Sequence, residues 1–193
     1  MKKIFNIIDK KSLYSGFFKI HQFTFQHKKH NGSWSKPLIR EVFSGSQVVT
    51  VLPYDPKTKK IILIDQFRNG LIEKNHKPIT TEIVAGFIDE GEKPEEAAIR
   101  ECKEETGCKV LKLKKIFSYY LSPGSSQSYY HFFLAEIKSF YGERIVGKKD
   151  ENEDILARSY STNEVEISLK DGKIITAPTI IALQWFYFNY IIS

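Results

Sequence analysis

A mixed α+β fold is what this sequence predicts, on three observations. β-rich runs dominate the chain up to residue 85. One glutamate-rich helical segment, opened by Pro94 and closed by Gly107, separates them from further β-rich runs. Helical patterns return only near the end, so strands and helices come in blocks rather than in regular alternation. The length of 193 residues suits one ordinary domain, or one with a modest extension, that buries a real core. An apolar content of 41% and a charged content of 27% belong to globular chains rather than disordered ones.

The first run, "FFKIHQFTFQH" at 17–27, alternates imperfectly and is rich in aromatics, as a strand is. Asn31-Gly32 is the strongest short hairpin signal, which makes "PLIREVFSG" the returning strand. "SQVVTVLPYD" and "KKIILIDQFR" read as two more strands around the turn "DPKT", and "TTEIVAG" as one further short strand. In the acidic helix, Pro94 suits the first turn and Glu95 and Glu96 favour its positive end. Gly107 suits a left-handed C-terminal cap. "VLKLKKIFSYYLSPG" and "SYYHFFLAEI" are strand-like, "YGERIVGKKDENED" reads as a charged loop, and "ILARSYS" as a strand. "TNEVEISLKDG" is a short helix with Thr162 or Asn163 as cap and Gly172 as stop. A last helix begins near Pro178 in "APTIIALQWFYFNYII". Gln184 and Asn189 interrupt it, and it is too short to span a bilayer.

The net charge is +6, from 29 basic and 23 acidic residues. The lysines are scattered in small clusters such as "MKKIF" and "HKKH". A nucleic-acid binder gathers them on one element with interleaved aromatics, so no nucleic-acid partner and no membrane are expected. A mild positive field favours the arrival of a small anion. Cys102 and Cys108 lie on the apolar side of the acidic segment, where cysteine packs as a small hydrophobe. No His/Asn pattern marks either as a nucleophile. Unpaired cysteines and the lack of a signal peptide point to the cytoplasm.

The chemistry lies in "GFIDEGEKPEEAAIRECKEETGC", residues 86–108. Glu101, Glu104 and Glu105 stand at i, i+3 and i+4, so they share one helix face and repel one another. Glu92, next to Gly91, can fold back over that face, and Arg100 sits among them, with Glu96 as an i,i+4 partner. Clustered hard oxygen ligands suit Mg²⁺ or Mn²⁺. No His/Cys set at zinc spacing competes.

The full pattern is G-x5-E-x7-R-E-x2-E-E-x-G, carried by Gly86, Glu92, Arg100, Glu101, Glu104, Glu105 and Gly107. At residue frequencies of roughly 5–7% each, a chance match in this chain is on the order of one in a million. The segment resembles the box of the Nudix hydrolases, with Cys102 and Cys108 at its two usually aliphatic positions. That resemblance implies an α/β/α sandwich around a mixed central sheet, and hydrolysis of a nucleoside diphosphate linked to another moiety. It implies metal ligation by Glu101, Glu105 and the Ala85 carbonyl, with Glu104 contributing directly or through water. Arg100 would orient the glutamates.

From about residue 17 to the C-terminus the chain resembles the ADP-ribose pyrophosphatase branch of that family. Pro123, in "SPG" with Gly124, stands fifteen residues past Cys108, a position the branch associates with ADP-ribose. "DENED" at 150–154 resembles its acidic loop, which implies Glu151 as general base and Glu153 as metal ligand or substitute base. Arg40, Arg68 and Glu82 lie in segments resembling those that line the substrate site. Ser128 stands where relatives often carry a glutamate. The resemblance further implies residues 1–44 as an antiparallel β-segment that serves as a dimerisation arm, and 45–193 as the hydrolase domain. The products would be AMP and ribose 5-phosphate, formed with Mg²⁺. Phe25 or Trp34 would be available to stack on adenine. Two other readings compete. One is a hydrolase of another nucleotide sugar such as GDP-mannose. The other is a non-catalytic Nudix-fold sensor, which the retained glutamates and the lack of a helix-turn-helix unit disfavour.

Overall fold

The computed structural model describes residues 3–73, 77–148 and 152–191. The chain divides into two compact units, Met1–Gln47 with Tyr120–Tyr129 and Val48–Tyr119 with Tyr130–Ser193.

The first unit holds a three-stranded antiparallel sheet in the order β1 (Phe5–Ser15), β2 (Lys19–His27), β3 (Leu38–Phe43). The sequence reading assigns no strand to β1. Its pairing with β2 is irregular between Ile7 and Asp9 and again between Ser12 and Tyr14. Each bulge resets the side-chain alternation, so no period of two survives to be read. Asn31-Gly32 does turn the chain: Gly32 has φ +83° and donates to the Lys29 carbonyl at 2.9 Å. The connection is longer than a two-residue hairpin, because β2 ends at His27 and β3 starts at Leu38. Residues 120–129 attach to β3 through Phe43, which donates to the Ser125 carbonyl (2.8 Å) and accepts from Gln127 (2.9 Å).

The second unit is built on a mixed eight-stranded sheet. Its strands are β4 (Gln47–Asp55), β5 (Lys60–Phe67), β6 (Ile79–Glu82), β7 (Val84–Phe87), β8 (Val110–Tyr120), β9 (Tyr129–Ile137), β10 (Glu143–Val146) and β11 (Ile155–Ser161). The order along the sheet is β10-β11-β5-β4-β9-β8, with β6 on β5 and β7 on β4. Alternation along the strands divides the core in two. Val49, Val51, Ile62, Ile64, Phe133, Ala135, Ile155 and Ala157 face one way and pack against Ala97, Ala98 and Cys102 of helix α1 (Pro94–Thr106). Leu52, Ile61, Leu63, Phe132 and Leu134 face the other way. They meet Val165 of α2 (Thr162–Lys170) and Ala182, Leu183 and Phe186 of α3 (Ala177–Tyr190). One helix on one face and two on the other make the expected α+β sandwich. No helix among the described residues is long and apolar enough to cross a membrane.

Three elements differ from the sequence reading. "TTEIVAG" is two strands, not one. β4 and β5 pair directly only at Tyr54↔Ile61 and Asp55↔Lys60. Beyond that they splay, and β7 pairs with β4 while β6 pairs with β5. The chain crosses between the two strands at Ile83, whose buried amide donates to Thr179 Oγ1 of α3 at 3.1 Å. The charged loop after β9 contains the edge strand β10, whose charges Glu143 and Arg144 masked it and suit an unpaired edge. The cap of α2 is Ser161 rather than Thr162 or Asn163, since its hydroxyl accepts the Glu164 amide and Glu164 accepts the Ser161 amide.

Thr179→Val keeps the shape and removes the acceptor, leaving the buried Ile83 amide unpaired. Unfolding in urea is expected to show a loss of about 1–3 kcal/mol. A loss below about 0.5 kcal/mol would mean that this hydrogen bond does not secure the crossing.

Candidate active site

Helix α1 carries its acidic stripe beside the apolar positions that pack on the sheet, so that Glu101 and Glu105 meet Gly86 and Ala85 of β7. Pro94 occupies its first turn, Glu96 Oε2 accepts the Lys93 amide at 3.0 Å, and Gly107 closes it with φ +66°. Glu96 therefore serves the N-terminus and is not the partner of Arg100 that the i,i+4 spacing suggested.

Arg100 is the centre of the stripe. Its Nε and Nη2 donate to the two oxygens of Glu92 at 2.9 and 2.8 Å. Nη1 donates to Glu101 Oε1 at 2.6 Å and to Glu104 Oε2 at 3.2 Å. Nη2 also donates to the Phe87 carbonyl at 3.0 Å and stands 3.8 Å from Asp89. The planar fork and full-time charge of a guanidinium make this set of contacts possible. The Arg100 bonds, helped by the Asp89 amide, hold the Glu92 carboxyl down at about 2, against the effect of its burial. Glu101 is shifted the other way, raised first by burial although Arg100 opposes it. Its carboxylate lies against Gly86: a Cβ there would come within 2.0 Å of the Glu101 carboxyl.

Glu105 is buried, at 3% exposure, and its Oε2 accepts the Ala85 amide at 3.0 Å. Burial pushes its carboxyl well above the ordinary range. The Ala85 bond and Arg68 oppose that shift, while the neighbouring charges of Glu101 and Glu153 add to it. Arg68 makes a bidentate pair with Glu82, at 2.9 and 2.8 Å, and Thr80 also donates to Glu82. Burial would lower the Arg68 pKa, but Glu82 outweighs it and raises it, with Glu105 and Glu153 contributing. Glu153 is near enough for its charge to act on both Arg68 and Glu105. Glu153 Oε2 accepts the Lys148 amide at 3.0 Å, and the Lys148 ammonium lies 3.4 Å from Glu104 Oε2.

The structure thus brings together Glu92, Arg100, Glu101, Glu104, Glu105, Ala85, Arg68, Glu82 and Glu153. Glu151 lies outside the described residues. Arg40 is exposed on β3 of the first unit, donating to the Ile39 carbonyl at 2.7 Å. Pro123 and Gly124 form an exposed turn of that unit, closed by Ser125 and Ser126 donating to the Ser122 carbonyl. Lys148 and the Phe87 carbonyl were missed from sequence. Nothing local in "GKKDENED" marks Lys148 as the neighbour of a helix so distant along the chain.

Among the described residues no three acidic, His or Cys side chains already converge on one point at metal distance. Glu101 and Glu104 turn to Arg100, and Glu105 turns to Ala85. The donor chemistry still fits a hard divalent cation. Asp89, Glu92, Glu101, Glu104 and Glu105 bring five carboxylates, all with oxygen donors, against the two cations Arg100 and Lys148.

The NUDIX domain family matches residues 46–183. An ADP-ribose pyrophosphatase of Escherichia coli (strain K12) is 35% identical over 184 residues, covering 95% of this chain and 88% of the relative. A GDP-mannose pyrophosphatase of Yersinia enterocolitica is 34% identical over 177 residues, covering 90% of each. A crystal structure of an ADP compounds hydrolase superposes with a TM-score of 0.73 over 97% of both chains, at 20% identity, and shares the fold.

The depressed Glu92 carboxyl makes a signed prediction. Its folded-state pKa of about 2 lies below the unfolded value of about 4.3. Its stabilisation is therefore fully present above about pH 4.3 and fades as pH falls toward 2. Glu92→Gln is expected to lower stability at pH 7 by roughly 2 kcal/mol. The gap between variant and wild type should narrow as denaturant titrations move from pH 5 to pH 3. A gap independent of pH would remove the ion pair as its source.

Proposed function

The chain belongs to the NUDIX family, and from that premise we propose that it hydrolyses the pyrophosphate of ADP-ribose to AMP and ribose 5-phosphate. The observation that carries the reading is the helix α1 face, where Arg100 gathers Glu92, Glu101 and Glu104 while Glu105 is held against Ala85. The ADP-ribose pyrophosphatase of E. coli, alike over 95% of the chain, supports the substrate.

Glu101, Glu105 and the Ala85 carbonyl would hold a divalent cation, for which we propose Mg²⁺, with Mn²⁺ able to replace it. Ala85 pairs with Thr50 on β4, yet its amide points to Glu105. In a strand the amide and carbonyl of one residue leave on the same side, so the Ala85 carbonyl shares the edge that meets Glu105. Glu104 and Glu153 would complete the ligand set. When bound, the cation neutralises charge on the pyrophosphate and acidifies the attacking water. Arg100 keeps Glu101 and Glu104 oriented, and Glu92 keeps Arg100 in place. Glu151 is proposed as the base that takes the proton from that water, and Glu153 as its substitute. Arg68, held by Glu82, would bind the anionic substrate, with Arg40, Pro123 and Gly124 as further contacts. We further propose a cytoplasmic homodimer, with residues 1–44 as the exchanged arm. Equilibrium sedimentation giving a monomer at micromolar concentration would exclude that assembly.

A second reading is kept because the GDP-mannose pyrophosphatase of Y. enterocolitica is nearly as similar in identity. Chromatography of products formed from ADP-ribose and GDP-mannose, side by side with Mg²⁺, separates the two. AMP should appear much faster than GMP. The reverse order would keep the site chemistry and overturn the substrate. Glu105→Gln should lose on the order of 10³-fold in turnover with an unchanged circular dichroism spectrum. Full activity in that variant would remove Glu105 as a ligand.

A further inference from the structure

Gln66 occupies a place where the strand pattern calls for an apolar side chain. Side chains alternate along β5, so Ile62, Ile64 and Gln66 share the face that packs under α1. The register agrees. Gln66 stands opposite Thr80 of β6 and Ile155 of β11, and Ile155 belongs to the core cluster of Ala97, Ala98 and Cys102. Glu82, opposite Ile64, is on the same face. So is Arg68, two residues beyond Gln66 in extended backbone (φ −121°, ψ 108°), which grips Glu82. The Gln66 side-chain oxygen is buried, and among the described residues it has no hydrogen-bond partner. Neighbouring donors are turned elsewhere: Thr80 Oγ1 donates to Glu82 Oε1, and Arg68 Nε and Nη2 donate to the two oxygens of Glu82. A buried amide oxygen left unpaired is costly. A leucine or isoleucine would fill the position without that cost.

We infer that Gln66 is a positioning residue of the metal site, whose side-chain oxygen accepts a hydrogen bond from a water in the hydration shell of the divalent cation. The inference rests on the metal-dependent reading above. Glu105 and Glu153, two of the carboxylates proposed to hold that cation, both act electrostatically on Arg68 at the same end of β5. An oxygen closed off from bulk solvent is reached by a single water more readily than by a nucleotide, and buried waters settle where polar groups are otherwise unpaired. A water held on a divalent cation is acidified, which makes it a strong donor. A neutral amide accepts from it without adding charge to a face already crowded with carboxylates.

The test uses Mn²⁺ alone, titrated calorimetrically into the EDTA-stripped full-length protein without substrate. Gln66→Met is close in shape and lacks the acceptor. It is expected to bind Mn²⁺ about fivefold more weakly than wild type, the scale of one hydrogen bond. Its melting temperature in EDTA should be no lower than that of wild type, because an unpaired oxygen has been removed. A merely structural glutamine predicts the opposite pair, a lower melting temperature with unchanged Mn²⁺ affinity, and that result would overturn the inference. Gln66→Glu keeps an acceptor oxygen in place and should bind Mn²⁺ at least as tightly as wild type. If Gln66→Met fails to fold, weaker binding in Gln66→Glu overturns the inference on its own. Unchanged Mn²⁺ affinity in Gln66→Met with a raised KM for ADP-ribose would assign the oxygen to the substrate, which overturns the inference and leaves the metal reading intact. A wild-type protein that binds no Mn²⁺ would sink the metal reading and this inference together.

Discussion

The active-site half of the molecule depends on one guanidinium. Glu101, Glu104 and Glu105 sit within one helical turn, an arrangement that repulsion alone would disfavour. Arg100 offsets it by spending each of its nitrogen atoms. Nε and Nη2 grip Glu92, Nη1 spans Glu101 and Glu104, and Nη2 reaches the Phe87 carbonyl. One residue thereby ties helix α1 to the loop before it and to the end of β7. A lysine, with one point of charge, cannot hold three carboxylates and a carbonyl at fixed angles. The protein's own contacts therefore hold the acidic face together.

That ordering requires the helix to lie very close to the sheet, and the sheet is opened to allow it. β4 and β5 separate after two paired residues, and β6 and β7 fill the wedge between them. The wedge brings Ala85 and Gly86 beneath α1. Ala85 offers its amide to Glu105, and Gly86 offers the space that the Glu101 carboxylate occupies. Any side chain at Gly86 would evict Glu101, so the glycine answers a packing demand rather than a conformational one. Thr179 of α3 satisfies the amide left over at the crossing, Ile83. Packing on the far face thus maintains the geometry of the near one.

These relations divide what was legible in the sequence from what was not. The helix and its carboxylates were legible because they are local: i, i+3 and i+4 spacing, a proline at the start and a glycine at φ +66° at the end. Glu92 was legible as folding back over that face, but its pairing with Arg100 was not, because the i,i+4 spacing pointed to Glu96 instead. The division of "TTEIVAG" was not, since its cause is the splaying of two strands that lie elsewhere in the chain. β1 was hidden by two bulges, and β10 by the charges that suit an edge. In the site, Arg68 and Glu82 stood out as members of resembling segments, but their bidentate pairing needed the β5–β6 register. Lys148 left no signal because its approach to Glu104 is made by tertiary structure alone.

The charge balance explains why the face is both stable and receptive. Around α1 five carboxylates meet two cations, and the deficit is greatest at Glu105, which has only the Ala85 amide for a close partner among its described bonds. Removing such a group from water is costly unless a positive charge compensates it. Arg68 contributes at a distance, but its donors are engaged by Glu82. Arg100 is engaged by Glu92, Glu101 and Glu104. Both arginines are therefore committed to other carboxylates, and among the described bonds Glu105 is left with an amide and no cation. The divalent cation proposed above would supply at Glu105 the positive charge that the committed arginines do not.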